Sequence, residues 1–98
     1  MPFQLKWTPM SRRQLGELPK NIQVNVIEEV GQQLIHQPDQ KTRHRKRLRE
    51  NPLATWELRV GDHRVFYNVE AGTNEVEVVA VGHKDHNELK IAGEEIDL

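Results

Sequence analysis

Arg59 and Arg64 are the residues whose types and spacing speak most directly of chemistry. The Gly61-Asp62 pair between them reads as a two-residue hairpin turn, since glycine takes the positive φ that tight hairpins require. Such a hairpin brings the two guanidiniums within about 5 Å across adjacent strands. Like charges that close repel unless an anion lies between them. Phosphate is the natural anion, because the planar fork of arginine binds it bidentately. In the competing arrangement each arginine pairs with a neighbouring carboxylate, Glu57, Asp62 or Glu77. The residues alone leave both arrangements open.

A second cluster, Gly82-His83-Lys84-Asp85-His86, stands where a valine-rich segment ends. Titratable groups at the mouth of a buried strand suit binding or proton transfer, and histidine can give or take a proton near neutral pH. An ordinary polar loop is the plainer alternative. His83-x-x-His86 alone is no metal site: a third and fourth ligand, from His63 or Asp85, would match no recognised spacing. No metal is therefore expected. The third feature is a basic run containing Lys41, Arg43, Arg45, Lys46, Arg47 and Arg49, with His44 among them. It can grip a polyanion locally although the net charge is only −1. A solvated charged face is its other reading.

These groups need a scaffold. Phe3 to Thr8 alternates apolar and polar residues, as a half-buried strand does. Ser11 followed by Gln14 fits a capping box and predicts a helix start there. Pro19 suits the first turn of a second helix, along which Ile22, Val26, Ile27, Val30 and Leu34 form one apolar stripe. Gln37-Pro38 ends it. Residues 41–50 fit a helix or an extended segment equally, and Asn51-Pro52 reads as a turn. Thr55–Val60, His63–Val69 and Glu75–His83 alternate as three strands, with turns at Gly61-Asp62 and Ala71–Asn74 and the valine-rich third strand central. The predicted fold class is α+β: an N-terminal strand, a helical hairpin, then a three-stranded antiparallel meander, with the helices packed on one sheet face. Trp7, Trp56, Phe66 and Tyr67 are expected in packing contacts, and His36 at a helix end.

With 98 residues the chain has the size of one small domain. It contains no cysteine, which excludes disulfides, thiolate metal sites and a cysteine nucleophile. No apolar run approaches the roughly 20 residues that cross a bilayer, and Met1–Lys6 carries no signal core. A cytoplasmic protein without a membrane partner is the expectation.

Three stretches carry a family likeness: Leu48-x-x-Asn51-Pro52; Trp56-Glu57-Leu58-Arg59-Val60-Gly61-Asp62-His63-Arg64-Val65-Phe66-Tyr67; and Val79-Ala80-Val81-Gly82-His83-Lys84. Together they resemble the RelE/ParE toxin superfamily of type II toxin–antitoxin systems. The motifs cover about the last half of the chain, and the preceding strand and helical hairpin match the architecture of that family. The resemblance implies a cognate antitoxin protein that wraps the toxin. It also implies one of two targets. RelE-like members enter the ribosomal A site and cut mRNA, whereas ParE-like members poison DNA gyrase. A third possibility is an inactive, antitoxin-binding homologue.

By the resemblance, Arg64 matches the arginine that stabilises the transition state in RelE-like toxins, and Lys84 stands where they carry a second arginine. The chain departs from RelE at Thr55 and Glu57, where RelE has lysines, and at Lys90 in place of a C-terminal tyrosine. Other ribonucleases of the superfamily use histidines and acids, roles open here to His83, His86, His63 and Glu57. The implied reaction is attack of an RNA 2′-OH on the adjacent phosphate, which needs no cofactor. It needs a base, an acid and cations around the phosphorane. The expectation assigns Arg64 as phosphate clamp, Lys84 as helper and His83 or His86 as acid or base. Arg43, Arg45, Lys46, Arg47, Arg49 and Arg59 hold the RNA backbone.

Overall fold

A computed structural model describes residues 2–85, 88–91 and 94–95. Its elements are β1 (Gln4–Trp7), α1 (Pro9–Gly16), α2 (Lys20–Gln33), β2 (Arg45–Arg47), β3 (Trp56–Val60), β4 (His63–Glu70), β5 (Glu75–Asp85), β6 (Glu88–Ile91) and β7 (Glu94–Glu95). The strands form one sheet in the order β2-β3-β4-β5-β6-β7, and β1 lies parallel to β5. The antiparallel meander is β3-β4-β5, with β5 central. The Gly61 turn takes φ 60° and the second turn closes with Asn74 at φ 53°, both in the left-handed region that tight turns use.

Burial divides the sheet into two faces. Trp56, Leu58, Val60, Val65, Tyr67, Val76 and Val78 point toward α1 and α2, where they meet Val26, Val30 and Leu34. The opposite, open face carries only a small cluster of Ala54, Phe66 and Ala80 with Leu48, Leu53, Val79 and Leu89 against it. A register shift between Phe66 and Tyr67 leaves Val79 as the extra residue of β5, the usual mark of a β-bulge. Trp56 stacks on Tyr67 at 6.2 Å. The Tyr67 hydroxyl donates to the Pro38 carbonyl at 2.8 Å, and burial pushes its phenol pKa up.

Besides the end of α2, which falls at Gln33 rather than at Gln37-Pro38, two local expectations need correction. The first helix starts at Pro9, not Ser11. Thr8 is its N-cap and accepts from the Ser11 backbone N–H at 3.1 Å. No capping box forms, because Gln14 is used elsewhere: its Oε1 accepts from the Val81 N–H at 2.8 Å, while Thr8 Oγ1 donates to the Val79 carbonyl. Both close the stretch of the β5 edge between its pairings with β1 and β6, a gap that would otherwise leave backbone groups unpaired. The second correction concerns Ile27, which is 49% exposed. The face of α2 that meets the sheet runs through Val26, Val30 and Leu34 at four-residue intervals; one residue further on, Ile27 is turned about 100° away.

Candidate functional site on the open face of the sheet

The basic run resolves into a short edge strand. Arg45, Lys46 and Arg47 of β2 pair with Leu58, Glu57 and Trp56 of β3, so their side chains alternate between faces. Arg45 shares the helix face with Leu58 and is 8% exposed. Its Nη1 donates to the carbonyls of Gln33 and His36, at and just past the end of α2. A cation there satisfies end carbonyls and complements the helix dipole. Arg45 therefore leaves the expected RNA-binding set: the end of a helix claims its charge. Lys46 is exposed and shares the open face with Glu57. Arg47 is exposed opposite Trp56, where it borders a polar groove with Lys6, Asp39, Asn68 and Glu77. Arg43 precedes the strand and Arg49 follows it, both exposed.

The hairpin pairs Arg59 directly with Arg64, as the turn implied, and Arg64 with Gly82 on β5. Cross-strand partners share a face, and Lys84, two residues past Gly82, follows on the same side. Lys46, Arg59, Arg64 and Lys84 thus occupy one region of the open face, spread over β2 to β5. Arg59 and Lys46 are exposed, whereas the Arg64 side chain is 12% exposed. Arg64 Nη1 donates to the carbonyls of Gly61 at 2.8 Å and His63 at 2.9 Å. Its Nε lies 3.6 Å from Glu57 Oε1. Of the two arrangements anticipated for the arginine pair, the carboxylate pairing is present at Arg64, and Arg59 stands directly across the hairpin from it.

The histidines are elsewhere. His83 pairs with His63 across β4 and β5 and with Lys90 across β6, on the helix side of the sheet. With Gln14, Glu17 and Leu18 of α1 it lines a hollow of about 260 Å³. The His63 and His83 rings lie 5.3 Å apart. The structure does not bring His83 to Arg64. The sequence adjacency of His83 and Lys84 sends their side chains to opposite faces, as a strand must. His86 lies outside the described residues. Among the described residues no group of three potential ligands could hold a metal ion.

His63 has its pKa lowered, first by burial and then by the nearby His83, with Arg64 adding to the effect and Asp62 opposing it. The unfolded chain therefore binds a proton at this position more readily than the folded one. Stability contributed here is present above the ordinary histidine pKa of about 6.5 and is lost as pH falls toward the lower folded value. Denaturant unfolding at about pH 7.5 and 5.5 is expected to show a larger loss on acidification for the native chain than for His63→Gln. Equal losses in both would remove His63 as the source.

Residues 5–88 match the family described as the ParE toxin of type II toxin-antitoxin system, parDE. The chain belongs to the ParE toxin family. As a member it is the toxin component of a type II toxin–antitoxin system. It is 30% identical over 84 residues to toxin RelG of Mycobacterium tuberculosis (strain ATCC 25618 / H37Rv), covering 86% of this chain and 93% of that protein. The fold is similar to a chain in the crystal structure of the toxin–antitoxin complex RelBE2 from Mycobacterium tuberculosis, with TM-score 0.73, 28% identity and coverage of 86% and 100%. It is also similar in fold to a chain of the archaeal RelE–RelB complex from Pyrococcus horikoshii OT3, with TM-score 0.67, 20% identity and coverage of 83% and 93%. Among the described residues no helix of this toxin is long and apolar enough to cross a membrane.

Proposed function

We propose that this toxin is a metal-independent, ribosome-dependent mRNA interferase that inhibits translation in the cytoplasm, held in check by a cognate antitoxin. The observation that carries the reading is the set of four cations, Lys46, Arg59, Arg64 and Lys84, on the one sheet face that the helices leave uncovered. An RNA backbone laid across that face meets Lys46 and Arg59, with Arg43 and Arg49 flanking the edge strand, while Arg47 shares the side of Trp56. Arg64 clamps the scissile phosphate. The RNA 2′-oxygen attacks phosphorus, the bond to the 5′-oxygen breaks, and a 2′,3′-cyclic phosphate and a 5′-hydroxyl result. Lys84, diagonal to Arg64 on the same face, protonates the leaving oxygen. His86 is kept as a base on sequence grounds, whereas the position of His83 beside α1 counts against it. The antitoxin follows from family membership and from solved relatives that are themselves toxin–antitoxin complexes.

Inhibition of DNA gyrase is the second reading. It is favoured by the match to the ParE family and by the separation of His83 from Arg64. Primer extension on a reporter mRNA in a bacterial cell-free translation system decides between them. New 5′ ends within the coding frame, present only with ribosomes, are the expected result. Intact mRNA together with trapped gyrase–DNA cleavage complexes would replace the first reading by the second.

A further inference from the structure

The cationic region of the open face has a carboxylate in its middle. Glu57 stands directly opposite Lys46 on one side and Phe66 on the other, two residues from Arg59 and diagonal to Arg64. It is 8% exposed. A carboxylate that withdrawn from water normally needs both charge partners and hydrogen bonds. An acid also weakens the pull of the surrounding cations on a polyanion. Its presence there calls for a local reason, and Arg64 supplies one.

Arginine has a long side chain that gives up about 2 kcal/mol of rotamer freedom when fixed. Arg64 is fixed at several points. Nη1 is committed to the Gly61 and His63 carbonyls of its own turn. Nε is buried, makes no hydrogen bond and faces Glu57 Oε1 at 3.6 Å. Among the described residues Nη2 has no hydrogen-bond partner. The turn carbonyls and the carboxylate together hold one end of the guanidinium and leave its other nitrogen uncommitted.

We infer that Glu57 is the positioning residue for Arg64, holding the guanidinium in the orientation that meets the phosphate, and that it contributes to cleavage only through that arginine. This rests on the interferase reading. A clamp whose side chain is oriented before the substrate arrives avoids reorganisation in the transition state. The negative charge behind it costs ground-state affinity for RNA, so Glu57 trades binding for orientation.

Glu57→Gln keeps the shape and removes the charge. It is expected to lower single-turnover mRNA cleavage on ribosomes by about 10–100-fold while binding of a short RNA stays equal or tightens. Glu57→Asp should recover part of the rate. Placed in an Arg64→Ala background, Glu57→Gln should cost nothing further, because a residue that acts through another is silent once that other is gone. A purely structural role would instead lower binding and cleavage together, in step with the folded fraction. A direct proton-transfer role would add its own loss in the Arg64→Ala background. Either result overturns the inference.

A readout that needs no cleavage separates this from failure of the interferase reading. The Arg64 Nε–H resonance in a ¹H–¹⁵N spectrum should be slowly exchanging in the native chain and lost or broadened in Glu57→Gln. If native protein cleaves no mRNA, the interferase reading falls, and the resonance still decides whether Glu57 holds Arg64. An unchanged resonance in Glu57→Gln would reject the positioning role.

Discussion

Arg64→Ala is expected to remove toxicity, with mRNA cleavage falling by about 10²–10³-fold, the usual loss when one preorganised donor to a developing oxyanion is deleted. The size follows from its place. Arg64 sits between Arg59 on one strand and Gly82 on the other, and the residue opposite has no side chain to obstruct a phosphate. Its Nη1 is anchored to two carbonyls of the Gly61 turn, so the hairpin itself aims it. Deletion also strands Glu57, which is nearly buried, and some stability will be lost with it. Circular dichroism and antitoxin binding therefore accompany the activity measurement. The double variant Arg64→Ala/Glu57→Gln removes the stranded charge and should recover the stability without recovering cleavage. Arg64→Lys is the sharper probe: it keeps the charge and loses the planar fork, so most of the loss should persist. Native-level cleavage by folded Arg64→Ala would end its assignment as the clamp.

Arg45→Met is expected to cost about 1.5–3 kcal/mol of stability, the range for hydrogen bonds made by a charged group. For a domain of this size that lowers Tm by roughly 10–20 °C. Methionine keeps most of the aliphatic stem against the core and deletes the guanidinium. The carbonyls of Gln33 and His36, which Arg45 now serves, lose their partner at the end of α2. Cleavage per folded molecule and the salt dependence of RNA binding should be unchanged. Lys46→Met, its neighbour in sequence and its opposite in orientation, should do the reverse: unchanged Tm, weaker RNA binding and a salt slope lower by about one. Calorimetry and filter binding on the two variants test the pair. An Arg45→Met protein as stable as the native chain would show that α2 does not need the contact.

Much of the scaffold was legible in one dimension. Alternation over Thr55–Val69 and the Gly61-Asp62 pair specified a hairpin and its register, because strand period and turn length leave one pairing that buries Trp56, Leu58, Val65 and Tyr67 together. The stripe on α2 was visible for the same reason, except at Ile27, where an apolar residue beside the stripe looks the same in sequence as one within it. The basic run could not be read as helix or strand. Six cations offer no apolar period, and its conformation depends on α2 ending where Arg45 can reach its carbonyls.

The candidate site divides in the same way. Sequence by itself determined that this chain carries an arginine pair across a tight turn, a basic run and a histidine-lysine strand end, and that these motifs belong to a toxin family. Those are matters of residue type and short-range spacing. Only the tertiary structure decided which side chains meet. It set Lys84 on the face of Arg64 and His83 on the face of α1, turned Arg45 inward, and brought Glu57 beside Arg64. The physical reason is that the two faces of a sheet differ only in what covers them. Strand alternation sorts neighbours onto opposite sides, and packing of the helices then fixes which side becomes core and which stays open to a substrate.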